Sequence, residues 1–121
     1  MLEEAYRRCV EKKAQICVYQ VLRYNEKTKE TIYDKGSFKK ENAPRKDVFC
    51  YKDMPDHILD SFQNWAWNKL ISHELVKKYH IKFQEIFRTN DFLFVASCMM
   101  LADRITLFRK EIGLLSDWNV K

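Results

Sequence analysis

The apolar residues of this chain follow two different spacings, and this change of period is what most constrains its fold. In residues 15–24, QICVYQVLRY, β-branched and aromatic residues occupy both faces of an extended segment, which is typical of a covered strand. The polar loop NEKTK follows, and residues 30–34, ETIYD, predict the returning strand of an antiparallel hairpin. A third short strand is predicted at residues 48–51, VFCY.

Helical spacing, with apolar residues three and four apart, governs the other segments. Residues 2–13 predict an amphipathic N-terminal helix. From Asp53 onward the same period predicts three more helices, over about residues 53–70, 72–87 and 91–112. The predicted fold is therefore α+β, with an N-terminal helix, a two- or three-stranded antiparallel hairpin or sheet, and a three-helix C-terminal bundle. We expect a single domain over residues 1–121.

One long apolar run, FLFVASCMMLA at residues 92–102, is closed by Asp91 and Asp103. It predicts a buried helix whose core residues are Phe94, Val95, Cys98 and Leu101. A helix that spans a bilayer needs about 20 apolar residues, so no membrane segment is expected. Residues 1–13 are charged throughout and do not resemble a secretory leader, which predicts an intracellular, cytoplasmic protein.

Glycine scarcity excludes several kinds of chemistry. The chain has two glycines, Gly36 and Gly113, far apart in the sequence. Phosphate-cradling loops and dinucleotide fingerprints need clustered glycines, because the backbone must approach the phosphates closely. A G-x-S-x-G nucleophile elbow is excluded by the same count.

The cysteines and histidines form no recognisable metal or catalytic motif. No C-x-x-C pair occurs among Cys9, Cys17, Cys50 and Cys98, so free thiols are predicted, although an even number leaves disulfides open. On a helix His73 and His80 would lie about 10.5 Å apart along the axis, too far to share one metal ion. Cys50 and His57 lack a surrounding catalytic motif. We therefore expect no metal and no cofactor.

The basic residues are concentrated between residues 23 and 52. That segment carries nine basic and five acidic residues, a surplus of four, in a chain whose net charge is +5. Aromatic residues are interleaved with the bases, which suits a phosphate backbone with exposed nucleobases. Lysines that protect a hairpin edge against aggregation give the same pattern. The predicted binding surface comprises Lys27, Lys29, Lys39, Lys40, Arg45 and Lys46.

A second candidate surface is centred on Trp67. On a helix this side chain would lie about 200° from Trp65, away from the predicted apolar face. Such a tryptophan either packs against the hairpin or the C-terminal tail, or it anchors an interface with a partner. The apolar residues of the tail are Leu114, Leu115 and Trp118.

Two functions therefore compete. The first is a small non-enzymatic binding or accessory protein that presents residues 23–52 to a nucleic acid or to an acidic protein surface. The second is an obligate protein–protein interaction or self-assembly module, homo-oligomers included, whose interface is apolar and uses Trp67. An enzyme is the less favoured interpretation, because no catalytic motif is present. The composition also fits an accessory protein of a virus or mobile element.

Overall fold

The computed structural model describes residues 2–20, 22–33, 39–63, 65–88 and 90–108. Within these ranges the chain forms three α-helices and five β-strands. The helices are α1 (Leu2–Lys12), α2 (His73–Lys78) and α3 (Phe92–Leu101). The strands are β1 (Ile16–Tyr19), β2 (Leu22–Asn25), β3 (Glu30–Tyr33), β4 (Lys69–Ile71) and β5 (Ile105–Phe108). Single 3-10 turns lie at Lys40–Asn42 and Tyr51–Asp53. The α+β class is thereby confirmed.

The central sheet has three strands in the order β4–β1–β5. β1 is antiparallel to β4, with Cys17 opposite Leu70, and parallel to β5, with Cys17 opposite Thr106. Parallel strands are typically buried on both faces, and every residue of β1 and β5 is buried. The purely antiparallel sheet expected from the sequence was wrong, because Ile105–Phe108 pairs beside β1 instead of continuing a helix.

The antiparallel hairpin is confirmed for residues 22–33, where β2 and β3 form a separate two-stranded sheet. The strand predicted at 15–24 is divided, because β1 joins the central sheet and β2 joins the hairpin. The strand predicted at 48–51 is reduced to a single bridge between Phe49 and Ile105, whose two backbone hydrogen bonds measure 2.9 and 2.7 Å.

The three-helix C-terminal bundle was wrong. The segment 53–70 forms a series of turns that ends in β4, because its last residues pair with β1. The segment 72–87 is helical only in α2, which ends before His80, a residue with a left-handed φ of 53°. In the segment 91–112, α3 ends at Leu101 and β5 follows, while residues 109–112 lie outside the described part. Strand pairing and local backbone geometry thus override the helical spacing.

The core lies on the two faces of the central sheet. Ile16 and Val18 of β1 face a large cluster that includes Phe62, Leu75 and Val95. The alternate residues face a smaller cluster under α1. Its buried members are Ala5, Cys17, Tyr19 and Phe108. The sheet therefore separates α1 from the turns and helices of the second half.

The helix α3 carries most of the residues predicted as core. Phe94, Val95 and Cys98 are buried, which confirms that prediction for three of the four positions. Leu101, at the C-terminal end of the helix, is 37% exposed, so its assignment to the core was wrong. Across the described ranges, none of the helices combines the length and the apolar character needed to cross a bilayer.

Candidate functional site

The hairpin turn presents two of the predicted basic residues. Lys27 and Lys29 are both exposed. Asn25 closes the turn, because its Oδ1 accepts a hydrogen bond from the Lys27 backbone N–H at 2.9 Å and its carbonyl oxygen accepts one from the Lys29 N–H at 2.7 Å. Lys29 adopts a left-handed φ of 56°. The two ammonium groups therefore sit on a short, locally hydrogen-bonded turn.

The next two predicted residues lie away from that turn, at the body of the molecule. Lys39 is half-buried, and its backbone N–H donates to the Ser61 carbonyl oxygen at 2.8 Å. Lys40 begins the 3-10 turn Lys40–Asn42. Two of the predicted basic residues therefore lie on the hairpin turn, and two lie on a loop that is hydrogen-bonded to Ser61.

The last two predicted basic residues, Arg45 and Lys46, line a cavity of about 670 Å³ beside α1. The cavity has an apolar wall from Leu107 and Phe108 of β5. Basic and acidic side chains alternate around it. They are Arg7, Arg8, Arg45 and Lys46 against Glu4, Glu11 and Asp47. This size is within the range of small-molecule pockets, and the balance of charge is slightly positive.

Hydrogen bonds and ion pairs fix the loop that carries these bases. Lys46 Nζ lies 2.9 Å from Asp53 Oδ1, and the hydrogen bond raises the pKa of Lys46. The backbone N–H of Cys50 and then the Lys46 ammonium lower the pKa of Asp53. Asp47 lies 3.2 Å from Lys12 of α1, and its carbonyl oxygen accepts from Thr106 Oγ1 at 2.8 Å. Among the described residues Arg45 has no such ion pair.

Trp67 belongs to a turn, although the sequence placed it on a helix. It is 58% exposed and stacks on Trp65, with ring centroids 4.8 Å apart and planes 12° from parallel. The Tyr19 hydroxyl donates to the Trp67 carbonyl oxygen, which ties this turn to β1. The tail residues named above as contact partners of Trp67 lie outside the described part of the chain.

The best-organised polar site is one that the sequence did not indicate, around Lys69. The segment 53–70 was predicted as a helix, on which a lysine at position 69 would be expected to face solvent, but Lys69 is only 6% exposed. Four oxygens lie 2.7–3.0 Å from its Nζ, whose three N–H groups they share. These are the carbonyl oxygens of Phe62, Gln63 and Trp65 and the Oδ1 of Asn68. We call residues 62–68 the tryptophan loop.

The Lys69 ammonium compensates for the lack of regular backbone hydrogen bonding in the tryptophan loop. Gln63 has a left-handed φ of 54°, so the chain turns sharply there and aims consecutive carbonyl groups at one point. Asn68 Nδ2 also donates to the Phe62 carbonyl oxygen, at 3.2 Å. Burial lowers the pKa of Lys69 to about 7, and the Asp91 carboxylate opposes that shift. Asp91, half-buried immediately before α3, is therefore within electrostatic range of the Lys69 side chain.

The histidines and Cys50 form no joint site in the described ranges. His73 and His80 are both exposed. The Nδ1 of His57 lies 3.3 Å from Asp60 Oδ1, an ordinary surface contact near a turn. No group of three or more histidine, cysteine or acidic side chains within the described residues is arranged to hold a metal ion.

A final surface feature is an unusual concentration of exposed apolar side chains between residues 83 and 93. We call it the apolar ridge. Its members are Phe83, Ile86, Phe87, Phe92 and Leu93. Phe87 is 96% exposed, and the others are about half exposed. The Gln84 N–H donates to the Asn90 carbonyl oxygen at 3.3 Å, which folds the segment back toward α3. Exposed apolar clusters of this kind mark interaction sites.

Comparisons with known proteins identify a fold and no family. No family model matches the chain, and no curated protein matches it. Residues 1–349 of S. aureus TarS, solved in complex with UDP, match with a TM-score of 0.58 and 16% identity over 91% of this chain. The structure of the same TarS segment described without UDP gives 0.59 and 18% over the same share. This chain spans 29% of that TarS chain, and identity this low establishes similarity of fold alone.

Proposed function

We propose that this chain is a docking module that forms one part of a nucleoside-diphosphate-binding fold, with a second protein segment supplying the rest. The observation that carries the proposal is the apolar ridge. The comparison with TarS, which was solved with UDP and of whose chain this one spans 29%, supplies the kind of partner. The proposal develops the second function inferred from the sequence, an apolar protein interface, and moves that interface from Trp67 to the ridge.

The ridge is supported as a docking surface by its energetics. Burying apolar surface contributes about 25 cal/mol per Å². A partner that covers a fully exposed phenylalanine would therefore gain a few kcal/mol of binding free energy. Phe83 stacks on Phe94 at 4.0 Å between centroids, which joins the ridge to the core through one ring. The remaining ridge side chains project from an irregular segment and from the first turn of α3. Exposed aromatic residues at such positions commonly serve as interface anchors.

The tryptophan loop supports the nucleotide part of the proposal. The contacts of Lys69 Nζ with the Phe62, Gln63 and Trp65 carbonyl oxygens and with Asn68 Oδ1, which we call the Lys69 cage, hold the backbone on both sides of Trp67. Exposed indole rings stack on nucleobases without regard to sequence. Asp91 places a carboxylate near the same loop, where it is available to a ligand hydroxyl. A site built from these groups is open on one side, which fits a fold that a second segment completes.

The test uses a photo-crosslinking amino acid, p-benzoylphenylalanine, in place of Phe87 in the full chain. The protein is expressed in the cells from which the chain comes and is irradiated. A matched variant carries the same amino acid in place of Lys77, an exposed residue of α2. We expect an adduct with a second protein from position 87 and none from position 77. That adduct should bind immobilised UDP and should be released by free UDP.

The other outcomes each reject a defined part of the proposal. An adduct that does not bind UDP rejects the nucleotide part. An adduct between two copies of this chain replaces the second protein with a homo-oligomer. An intramolecular adduct that maps to residues 109–121 assigns the ridge to the chain's own tail. Equal adduct yields from both positions reject the docking surface itself.

A second candidate function, anion binding by the basic loop, is favoured by the cavity beside α1. Arg45 and Lys46 share that cavity with Arg7 and Arg8, so four cations converge on one concave surface. We propose a polyanion, a nucleic acid or an acidic protein surface, as the ligand class. Each phosphate contact contributes a slope of about 0.7–0.9 to the salt dependence of binding.

Charge reversal separates this function from general electrostatics. Arg45→Glu combined with Lys46→Glu should abolish binding of a fluorescent single-stranded oligonucleotide at low salt, whereas Lys77→Glu combined with Lys78→Glu should change it little. Lys27→Glu combined with Lys29→Glu tests whether the hairpin turn joins the same surface. Equal losses from all three pairs would indicate nonspecific attraction to a basic protein.

A further inference from the structure

Two thiols from different elements meet beneath α1. Cys9 lies on α1 and Cys17 on β1, and Cys9 packs against the small cluster to which Cys17 belongs. The connection between them is short. Lys13 has a left-handed φ of 52°, and the Ala14 N–H donates to the Cys9 carbonyl oxygen at 2.9 Å, so the chain folds back at once onto the strand. The two thiols are close enough for each to shift the pKa of the other.

The two thiols differ sharply in accessibility. Cys17 is fully buried, with no exposed surface. Cys9 is half-buried and lines a cavity of about 540 Å³ whose walls include Lys13, Leu70 and Glu74. A small molecule in that cavity therefore reaches Cys9, whereas Cys17 is shielded from it.

The surroundings of the two thiols also shift their pKa values in opposite directions. The hydrogen bond from Cys17 lowers the pKa of Cys9, and the neighbouring Arg8 guanidinium lowers it as well, against burial. The same hydrogen bond and burial raise the pKa of Cys17. Since the thiolate is the reactive form, Cys9 is the nucleophile of the pair and Cys17 its neutral partner.

We propose that Cys9 and Cys17 form a hydroperoxide-responsive dithiol pair, in which Cys9 is oxidised first and Cys17 then closes a disulfide between α1 and β1. This proposal is independent of the docking function. In the first step the Cys9 thiolate attacks an oxygen of the hydroperoxide, the O–O bond breaks, and the leaving oxygen takes up a proton. The products are a sulfenic acid on Cys9 and an alcohol, or water when the oxidant is hydrogen peroxide.

In the second step the Cys17 sulfur attacks the Cys9 sulfur. The S–O bond breaks, and the hydroxyl group leaves with the Cys17 proton as water. Once Cys9 carries no negative charge, the Cys17 proton is no longer held by a thiolate acceptor, so the cause that most raises the pKa of Cys17 is removed. Two thiols are oxidised and one hydroperoxide is reduced, which balances the reaction.

The experiment treats the full chain with one equivalent of hydrogen peroxide at neutral pH, then alkylates it in denaturant for mass spectrometry. We expect the treated chain to carry two alkyl groups where the untreated chain carries four, with the Cys9 and Cys17 peptides linked by a disulfide and with Cys50 and Cys98 alkylated. The Cys17→Ser variant should stop at a sulfenic acid on Cys9, which dimedone traps. The Cys50→Ser variant is the matched control and should behave as the parent chain does.

Three results would overturn the proposal. Oxidation of Cys50 before Cys9 would assign the reactive thiol elsewhere. A stable sulfenic acid on Cys9 in the parent chain, without a disulfide, would show that Cys17 does not reach it. If Cys17→Ser does not fold, native-state alkylation of the parent chain decides the matter, because Cys9 should react with iodoacetamide faster than Cys50, and equal or slower reaction rejects the assignment.

Discussion

Residues 53–68 and residues 81–88 carry the same sequence pattern, apolar residues at helical spacing. The chain buries apolar side chains of the first segment and leaves apolar side chains of the second exposed. Both segments were predicted to be helical, and neither is. The short helix α2 ends before the second segment begins. In the first segment Met54, Ile58 and Phe62 are buried in the main core. In the second, Phe83 and Ile86 are about half exposed and Phe87 is almost fully exposed.

The two segments also differ in how their backbone groups are satisfied. In the first, turns follow one another, with the His57 N–H donating to Met54 and the Ser61 N–H donating to His57, each at 3.1 Å. Lys69 Nζ then donates hydrogen bonds to the carbonyl oxygens at the end of these turns. In the second, the described backbone bonds are those of Ile81 and Gln84. In the first segment one buried lysine Nζ therefore binds several carbonyl oxygens of an irregular backbone.

The largest expected effect contrasts one phenylalanine from each segment. Phe62→Ala should lower the free energy of unfolding by about 3–5 kcal/mol, because the ring is 1% exposed and its removal leaves a cavity. Phe87→Ala should change it by less than about 0.5 kcal/mol. Chemical denaturation of both variants measures the difference. Comparable losses in the free energy of unfolding would show that both phenylalanines are buried within the free chain.

The next effect concerns the cage. Lys69→Met keeps the apolar stem but removes the donor to four oxygens, so the free energy of unfolding should fall by about 1–3 kcal/mol. Lys77→Met, at an exposed position of α2, is the matched control and should be nearly neutral. Fluorescence should also report a loosened Trp65–Trp67 stack in the cage variant alone. An unchanged stability in Lys69→Met would mean that water replaces the ammonium without cost.

A smaller effect is a pH dependence that belongs to Lys69. Its pKa is about 7 in the folded chain and 10.5 as an ordinary lysine. Between those two values the unfolded chain binds a proton that the folded chain does not, so the free energy of unfolding should rise with pH, by at most about 1.4 kcal/mol per unit. The penalty is fully present below the folded pKa. The free energy of unfolding of Lys69→Met is measured over the same pH range and subtracted, which removes the contribution of other groups. A difference that does not change with pH would contradict the shifted pKa.

Local patterns were sufficient to predict the elements that depend on neighbouring residues. The N-terminal helix has glutamates in its first turn and a lysine in its last, and Arg7 pairs with Glu3 at 2.7 Å as the i,i+4 spacing indicates. The β2–β3 hairpin follows from a polar turn between two strand-forming runs. In both cases the stabilising contacts are close in sequence, so a reading of spacing alone finds them.

The elements that depend on distant pairing were not predictable in this way. Ile105–Phe108 reads as the end of an apolar helix, and only its parallel pairing with β1, some 90 residues earlier, makes it a strand. Lys69 reads as a surface lysine, because the four oxygens that hold it belong to a turn whose existence is itself a tertiary result. Three ridge residues, Phe83, Ile86 and Phe87, fall at helical spacing in the segment 72–87 that was predicted as a helix, and the structure leaves them in irregular backbone.

Native-state hydrogen exchange on the free chain tests the central contrast most directly. If the chain completes residues 53–68 and leaves residues 81–88 for a partner, the amides of His57 and Ser61 should exchange slowly, by opening of the core. The amides of residues 82–88 should exchange at nearly the rate of an unfolded peptide, because burial and backbone bonds protect few of them. Equal, strong protection of both segments in the free chain would contradict the account, since the ridge would then already be covered.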